Sequence, residues 1–175
     1  DSAIDQSYKN IEVLIIDDGS TDGTEQIAAS YGQRIRYIKK QNGGVASALN
    51  LGINKMRGRY FSWLSHDDVY HRERVEVLVQ QAKKETDDTI IISDWDIIDA
   101  QGDKIGSSKL DNRLESFPNS FIAFDRKTWL NACAMLIPKV LFDEVGLFDE
   151  SLKTTQDYEL LKKKNKKGVR YKIIH

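Results

Sequence analysis

The sequence contains a single cysteine, Cys133, among 175 residues. One thiol cannot form an internal disulfide, and alone it cannot build a zinc cluster of thiolates. Its neighbours Ala132, Ala134 and Met135 are apolar, which favours a packed side chain over a catalytic nucleophile. A disulfide scaffold and a thiolate metal cluster are therefore excluded.

Long apolar runs and an excess of one charge are also missing. No apolar run approaches the ~20 residues of a membrane-spanning helix, and residues 1–4 do not have the pattern of a signal peptide. Lysine and arginine number 26 against 27 aspartates and glutamates, so no overall field suggests a nucleic-acid partner. We expect a soluble chain with one core-forming domain, in which local groups must hold any anionic ligand.

Glycine-rich phosphate loops are absent as well. The chain has no Gly-x-x-x-x-Gly-Lys-[Ser/Thr] segment, and no Gly-x-Gly-x-x-Gly segment follows a predicted strand. These loops bring backbone N–H groups around the phosphates of ATP or of a dinucleotide. An ATPase and a dinucleotide-dependent enzyme are therefore disfavoured.

Hydrophobic patterns alternate between predicted strands and predicted helices. Short β-branched runs predict strands, whereas apolar stripes at i, i+3, i+4 and i+7 predict helices. The predicted strands are 11–16, 36–39, 60–64 and 89–93, and the predicted helices are 24–31, 49–56, 75–82, 139–145 and one beginning at 156. This order favours an α/β fold with a mainly parallel sheet and right-handed crossovers.

Three other stretches have weaker patterns. Apolar residues at roughly helical spacing in residues 1–10 predict the end of a helix. Residues 99–128 have no strong periodicity, and we expect a turn and a mobile surface segment there. The basic stretch 162–167 is typical of a solvated helix face.

Two pairs of adjacent carboxylates follow predicted strands, Asp17-Asp18 after the first and Asp67-Asp68 after the third. The carboxyl ends of parallel strands meet at one edge of a sheet, so we expect both pairs to line one crevice. Carboxylate oxygens suit Mg²⁺ or Mn²⁺, and such a cation usually has phosphate as its other partner. Asp67 and Asp68 could instead cap the helix that follows them.

Four segments of the sequence resemble the family 2 glycosyltransferases, which are inverting enzymes that use nucleotide-diphospho-sugars. The matching segments are 8–24, 41–45, 58–68 and 145–150 together with Gln156-Asp157. The resemblance implies one GT-A-like domain over 1–175, a three-layer α/β sandwich with a mainly parallel, Rossmann-like central sheet. Residues 1–88 would form the nucleotide-binding half and 89–175 the acceptor and catalytic half. Relatives begin with a strand that this chain does not cover.

The resemblance also implies residues for donor binding. Asp18 would accept a hydrogen bond from the base, with Asp17 beside it. Asp67 would be the carboxylate that reaches an Mn²⁺ or Mg²⁺ ion on the diphosphate, and Asp68 would support the loop. The first position of this Asp-x-Asp motif is Ser65, a departure from the family. The full set of expected nucleotide-sugar contacts is Asp17, Asp18, Ser20, Asn42, Gly43, His66 and Asp67.

Asp157 matches the catalytic base of the family, with Gln156 in place of the usual glutamate. A base is needed because the acceptor hydroxyl must lose its proton as it attacks the anomeric carbon. The alternative role of Asp157 is a helix N-cap.

The implied function is transfer of a hexosyl or N-acetylhexosaminyl group from a UDP-type donor to a hydroxyl of a glycan or a lipid-linked acceptor. The resemblance places this reaction in cell-envelope or exopolysaccharide synthesis, in the cytoplasm, with peripheral association at the inner face of the plasma membrane as an option. Nucleic acid is not an expected partner. Two alternatives remain open, a nucleotidyltransferase and a non-catalytic domain that binds a nucleotide or glycan or serves as a scaffold.

Overall fold

The computed structural model describes residues 1–112, 115, 131–154 and 156–175, without the side chains of 165 and 166. The strands are β1 Leu14–Asp17, β2 Arg36–Lys39, β3 Tyr60–Phe61, β4 Thr89–Ser93, β5 Trp95–Ile98, β6 Lys104–Ser108, β7 Met135–Pro138 and β8 Arg170–Ile174. The α-helices are α1 Thr24–Ser30, α2 Val45–Lys55, α3 Arg74–Ala82, α4 Val140–Val145 and α5 Gln156–Lys166. In the described ranges, no helix is long and apolar enough to cross a membrane.

The strands form one four-stranded sheet and two strand pairs. The larger sheet has the order β3-β7-β4-β8, and the pairs are β1-β2 and β5-β6. β1 runs parallel to β2 and β4 parallel to β8, whereas β7 is antiparallel to both of its neighbours. The sheet is therefore mixed. The sequence could not predict this, because the apolar residues of β7 do not indicate whether the strand runs parallel or antiparallel to its neighbours.

The core lies on both faces of β4, whose three isoleucines are completely buried. Ile90 and Ile92 pack in a cluster with residues of α2, α4 and α5. Ile91 points to the other face, where it packs with Leu78 and Val79 of α3. Successive side chains of a strand alternate between faces, so helices cover both sides of the sheet. This arrangement is the three-layer α/β sandwich expected from the sequence.

Several element boundaries differ from the sequence-based prediction. The expected helix in residues 1–10 is wrong, because residues 1–5 form a single turn in which Ile4 and Asp5 donate backbone hydrogen bonds to Asp1. β3 has two residues instead of the five expected. β8 was not predicted, although its alternation of buried Tyr171 and Ile173 with more exposed residues is typical of a strand.

The segment predicted as a mobile surface loop contains part of a hairpin. β5 and β6 pair antiparallel across a turn at Gly102, which has a φ of +87°. The Asp99 carboxylate accepts hydrogen bonds from the backbone N–H groups of Gln101 and Asp103. Such local bonds stabilise a turn without any apolar pattern. Residues 113, 114 and 116–128 of the predicted mobile segment lie outside the described residues.

Candidate active site

Asp17 ends β1 with its carboxylate turned into the protein. Only 3% of the residue is exposed. Its Oδ1 accepts a hydrogen bond from the Ser20 N–H at 2.7 Å, and its Oδ2 accepts one from the Tyr37 hydroxyl. The bond from Tyr37 and those from Ser20 lower the pKa of Asp17 to about 2. Asp17 is therefore an ionised anchor for the turn after β1.

Asp18 points instead toward the loop before α2. Its Oδ1 accepts hydrogen bonds from Lys40 Nζ at 2.6 Å and from the Gly43 N–H at 2.9 Å, and its Oδ2 accepts one from the Gly44 N–H at 2.7 Å. Although burial raises the pKa of Asp18, these bonds lower it below its usual value. A carboxylate offers about four acceptor sites, so one site on Oδ2 stays open for a ligand.

The loop that carries Asn42 and Gly43 lies directly over Gly19. Gly19 has a φ of +86°, and a Cβ there would come within 2.9 Å of the Asn42 backbone nitrogen. Glycine is required at this position both by the conformation and by the close contact. The structure thus brings five of the predicted residues into one cluster, Asp17, Asp18, Ser20, Asn42 and Gly43.

The second carboxylate pair is built differently. His66 and Asp67 are exposed, and among the described residues neither side chain has a hydrogen-bond partner. The Asp68 N–H donates to the Ser65 carbonyl at 3.3 Å, which closes a tight turn. Asp67 is therefore presented to solvent with its oxygens free.

A divalent cation fits Asp67 only with help from a ligand. Within the described residues, no three His, Cys, Asp or Glu side chains are grouped so that they could hold a metal ion. Mg²⁺ is commonly bound by one or two carboxylates, with substrate phosphates and water completing the shell. The exposed carboxylate of Asp67 suits that kind of site, with Asp68 beside it.

Cys133 lies next to this second pair. Its Sγ is 3.4 Å from the Ser65 Oγ, and burial raises the pKa of the thiol to about 11. The thiolate is the nucleophilic form of cysteine. A half-buried thiol that stays protonated is a packing group, as its apolar neighbours indicated.

Asp157 lies in the first turn of α5, at the edge of a small apolar recess. Its Oδ1 accepts a hydrogen bond from the Tyr158 N–H at 2.9 Å. The recess is lined by Asp157 together with Phe61, Trp63, Ala132, Met135, Ile137, Phe148, Leu160 and Leu161. Trp63 precedes Ser65 by two residues, so the recess places Asp157 close to the base of the second carboxylate loop.

Gln156, which precedes Asp157, has a neutral amide side chain and adds no second carboxylate at this position. It is 9% exposed, and its Oε1 has no hydrogen-bond partner in the part of the chain that is described. With a neutral amide at 156, Asp157 is the only carboxylate among the described residues that line the recess.

Helix α2 connects the first cluster to the rest of the molecule. Gly52 of this helix packs on Ile16 of β1, where a Cβ would lie 3.6 Å from the isoleucine Cγ1. The buried Asn50 side chain bonds the backbone N–H and C=O of Phe148, each at 3.0 Å. A shared crevice for the two carboxylate pairs stays a prediction, because β1 and β3 belong to different hydrogen-bonded sheets.

Sequence reasoning missed the partners that hold these carboxylates. Tyr37 and Lys40 bond carboxylates that lie 20 and 22 residues away in the sequence. No local motif in a single sequence marks such long-range partners.

Comparison with known proteins assigns the family. The family model described as "Glycosyl transferase family 2" matches residues 1–145. The chain belongs to glycosyl transferase family 2. This membership confirms the resemblance given by the four sequence segments.

Relatives of this family 2 glycosyltransferase include an uncharacterized glycosyltransferase of Rickettsia prowazekii. It is 45% identical over 162 residues, which cover 91% of this chain and 51% of the relative. The chain therefore spans about half the length of that relative. The minor teichoic acid biosynthesis protein GgaB of Bacillus subtilis is 32% identical over 171 residues, covering 92% of this chain and 18% of GgaB.

The solved structures confirm the GT-A-like fold. S. aureus TarS 1-349, in complex with UDP-GlcNAc, matches with a TM-score of 0.77 at 18% identity. The match covers 99% of this chain and 50% of the TarS chain. At this identity the likeness shows the shared fold alone.

Proposed function

We propose that this family 2 glycosyltransferase transfers a sugar from a UDP-linked donor to an acceptor hydroxyl with inversion. The observation that carries the proposal is the state of Asp18, an ionised carboxylate held by three donors with one acceptor site open. That site accepts the imino N–H of uracil and cannot donate to a base that presents an acceptor there. The UDP and UDP-GlcNAc complexes of TarS support a UDP-linked hexose or N-acetylhexosamine as the donor.

The diphosphate is the second group to be bound. Asp67 would hold Mn²⁺ or Mg²⁺, with Asp68 supporting the loop and His66 beside it. When bound, such a cation supplies positive charge to the diphosphate as it leaves. The free oxygens of Asp67 support this role, since in the described part of the chain they serve no structural purpose.

Asp157 is the general base in this proposal. It would accept the proton of the acceptor hydroxyl, and the oxygen would attack from the face opposite the diphosphate, which inverts the anomeric centre. A positioned carboxylate typically contributes 10²–10⁴-fold to such a step. The location of Asp157 at the recess beside Trp63 supports this assignment.

The acceptor is a glycan or a lipid-linked saccharide of the cell envelope. The teichoic acid role in the name of GgaB supports an envelope polysaccharide. The reaction would take place in the cytoplasm, with peripheral association at the inner face of the plasma membrane.

A thermal-shift series with UDP, ADP and CDP, each with and without Mn²⁺, tests the donor class. We expect UDP with Mn²⁺ to raise the melting temperature most, because a ligand that binds only the folded state stabilises it. Equal shifts with CDP or ADP would contradict the assignment of Asp18 to an imino N–H, and a UDP shift unchanged by Mn²⁺ would contradict the metal site.

A further inference from the structure

The exposed Asp67 is fixed only through the backbone of its own loop. This loop, residues 64–69, lies in the irregular segment between β3, which ends at Phe61, and α3, which begins at Arg74. The side chains of Asp67 and His66 have no hydrogen-bond partner among the described residues. The position of the carboxylate therefore depends on whatever holds the two ends of the loop.

Tyr70 closes the loop at its base. Its hydroxyl donates to the Trp63 carbonyl at 2.7 Å, and it lies 2.9 Å from the Ser62 Oγ. These contacts join the residue that follows the loop to the two residues that precede it. The loop thus has a closed neck with both carboxylates on its outer part.

Arg74 holds Tyr70 and the neck from the other side. Its guanidinium lies 4.1 Å from the centre of the Tyr70 ring. It donates to the Ser62 Oγ at 3.0 Å and to the carbonyls of Cys133 and Met135 at 2.7 and 3.3 Å. A planar guanidinium can stack and donate in several directions at once, which a lysine ammonium cannot do.

No carboxylate pairs with Arg74 in the described part of the chain. Burying a cation among neutral acceptors is costly, so the arginine is poorly explained as a simple stabilising group. Its contacts join the loop neck to the segment before β7, whose Cys133 thiol also touches Ser65 at the start of the motif. The loop is consequently fixed at its neck and at Ser65.

We propose that Tyr70 and Arg74 are positioning residues that fix the 64–69 loop so that Asp67 meets the metal and diphosphate of the donor. This inference rests on the proposed function for its ligand and on the contacts of the loop for its geometry. Residues that orient a metal ligand typically change metal affinity 10–100-fold when they are altered.

Tyr70→Phe tests the proposal with the least disturbance, because it removes the hydroxyl and keeps the ring that stacks on Arg74. The primary readout is binding of UDP to the full chain by calorimetry at increasing Mn²⁺. We expect the Mn²⁺ concentration for half-maximal binding to rise about tenfold. Arg74→Lys keeps the charge but loses the planar fork, and it should shift the same quantity in the same direction.

A second readout does not depend on any ligand. Hydrogen exchange of the 64–69 backbone in the free protein should become about fivefold faster in Tyr70→Phe, as expected when one hydrogen bond that closes a loop is lost. The matched control is Tyr31→Phe, which removes a hydroxyl bonded to the Asp1 carboxylate at 2.9 Å. This control should change neither readout.

The two readouts separate failure of the inference from failure of the proposed function. If wild-type protein binds UDP with Mn²⁺ but Tyr70→Phe leaves the Mn²⁺ requirement and the loop exchange unchanged, the positioning role is wrong. If the wild-type protein does not bind UDP at any Mn²⁺ concentration, the donor assignment fails and the role in metal binding falls with it. In that case faster exchange would show only that Tyr70 closes the loop.

Discussion

The two carboxylate pairs both follow strands, yet they are built in opposite ways. Asp17 and Asp18 accept hydrogen bonds from the Tyr37 and Lys40 side chains and from three backbone N–H groups. Asp67 accepts none within the described residues. The first pair is held in place by protein donors, with one acceptor site on Asp18 Oδ2 left open, whereas Asp67 is held by no donor in the described part of the chain. The difference separates carboxylates that organise a binding site from those that take part in the chemistry.

This comparison gives a rule for the other charged groups of the molecule. A carboxylate saturated by protein donors serves the fold, and an exposed one with free oxygens is available to a substrate or a metal. Asp157, whose one described bond is to the adjacent N–H, belongs with Asp67. The predictions below test whether the rule separates binding, catalysis and stability.

The largest effect is expected from Asp157→Asn. Loss of the proposed base should reduce the rate of sugar transfer ~10²–10⁴-fold, and it should leave UDP affinity unchanged because the role proposed for Asp157 concerns the acceptor. Single-turnover transfer and calorimetry measure the two quantities. Asp143→Asn, at an exposed carboxylate of α4, is the control and should retain full turnover. If Asp157→Asn retains full sugar transfer, Asp157 is not the general base and its carboxylate has a structural role.

Lys164 is an exception to this rule, since its Nζ has no hydrogen-bond partner among the described residues and yet its burial keeps it from meeting a ligand. It is 0% exposed, and its Nζ lies 4.4 Å from the centre of the Phe142 ring. Burial lowers the pKa of Lys164 to about 7, against the opposing effect of Glu144. Such a group is a stability cost without a binding role.

Lys164→Met should therefore stabilise the protein by about 1–4 kcal/mol near pH 6. The unfolded lysine keeps its proton up to its ordinary pKa of 10.5. Wild-type stability rises with pH between about 7 and that value, since the unfolded state binds the extra proton there. The gain from Lys164→Met should shrink over the same interval in urea unfolding. Lys163→Met, at a half-exposed lysine paired with Glu159, should change stability little.

The donor site itself gives the next largest effect. Asp18→Asn should weaken UDP binding about tenfold, the size expected for one charge-assisted hydrogen bond, while the response to Mn²⁺ persists. Asp67→Asn should instead abolish that response. Asp22→Asn, at a nearby carboxylate that bonds only Thr24 in the described structure, is the control for both. If Asp18→Asn and Asp67→Asn behave alike, the two pairs are not functionally distinct.

The sequence predicted the positions of these pairs better than their roles. Strand ends and turn residues located Asp17, Asp18 and Asn42, because a local pattern of β-branched residues followed by turn formers determines them. Lys40 Nζ is one of the donors that hold Asp18, and the Tyr37 hydroxyl is one of those that hold Asp17. These contacts form only when β1 and β2 pair, so the hydrophobic periodicity of the sequence does not predict them.

The second half of the chain was less predictable for the same reason. The direction of β7 is defined by its pairing with β3 and β4, which are distant in the sequence. The neck of the 64–69 loop is held by Arg74, which donates to the distant carbonyls of Cys133 and Met135. A predicted helix boundary depends on a few adjacent residues, whereas strand direction and loop position depend on distant ones. Where the determinants are local, as in α3, the predicted apolar stripe matches the buried Leu78, Val79 and Ala82.

The smallest effect concerns the response of the first pair to acid. The pKa of Asp17 is lowered to about 2 in the folded protein from its ordinary value of 3.8. A lowered pKa means that the unfolded state binds the proton first as the pH falls. The contribution of Asp17 to stability is therefore present above about pH 4 and is lost as the pH falls toward 2.

The stability difference between wild type and Asp17→Asn, measured by urea unfolding, should accordingly narrow across this interval. Asp67→Asn, which removes a carboxylate with no hydrogen-bond partner in the described structure, should lower stability little at any pH. A constant Asp17 difference down to pH 2 would mean that Tyr37 and Ser20 hold the turn through neutral hydrogen bonds alone, and the contrast between the two pairs would then lie in geometry and not in charge.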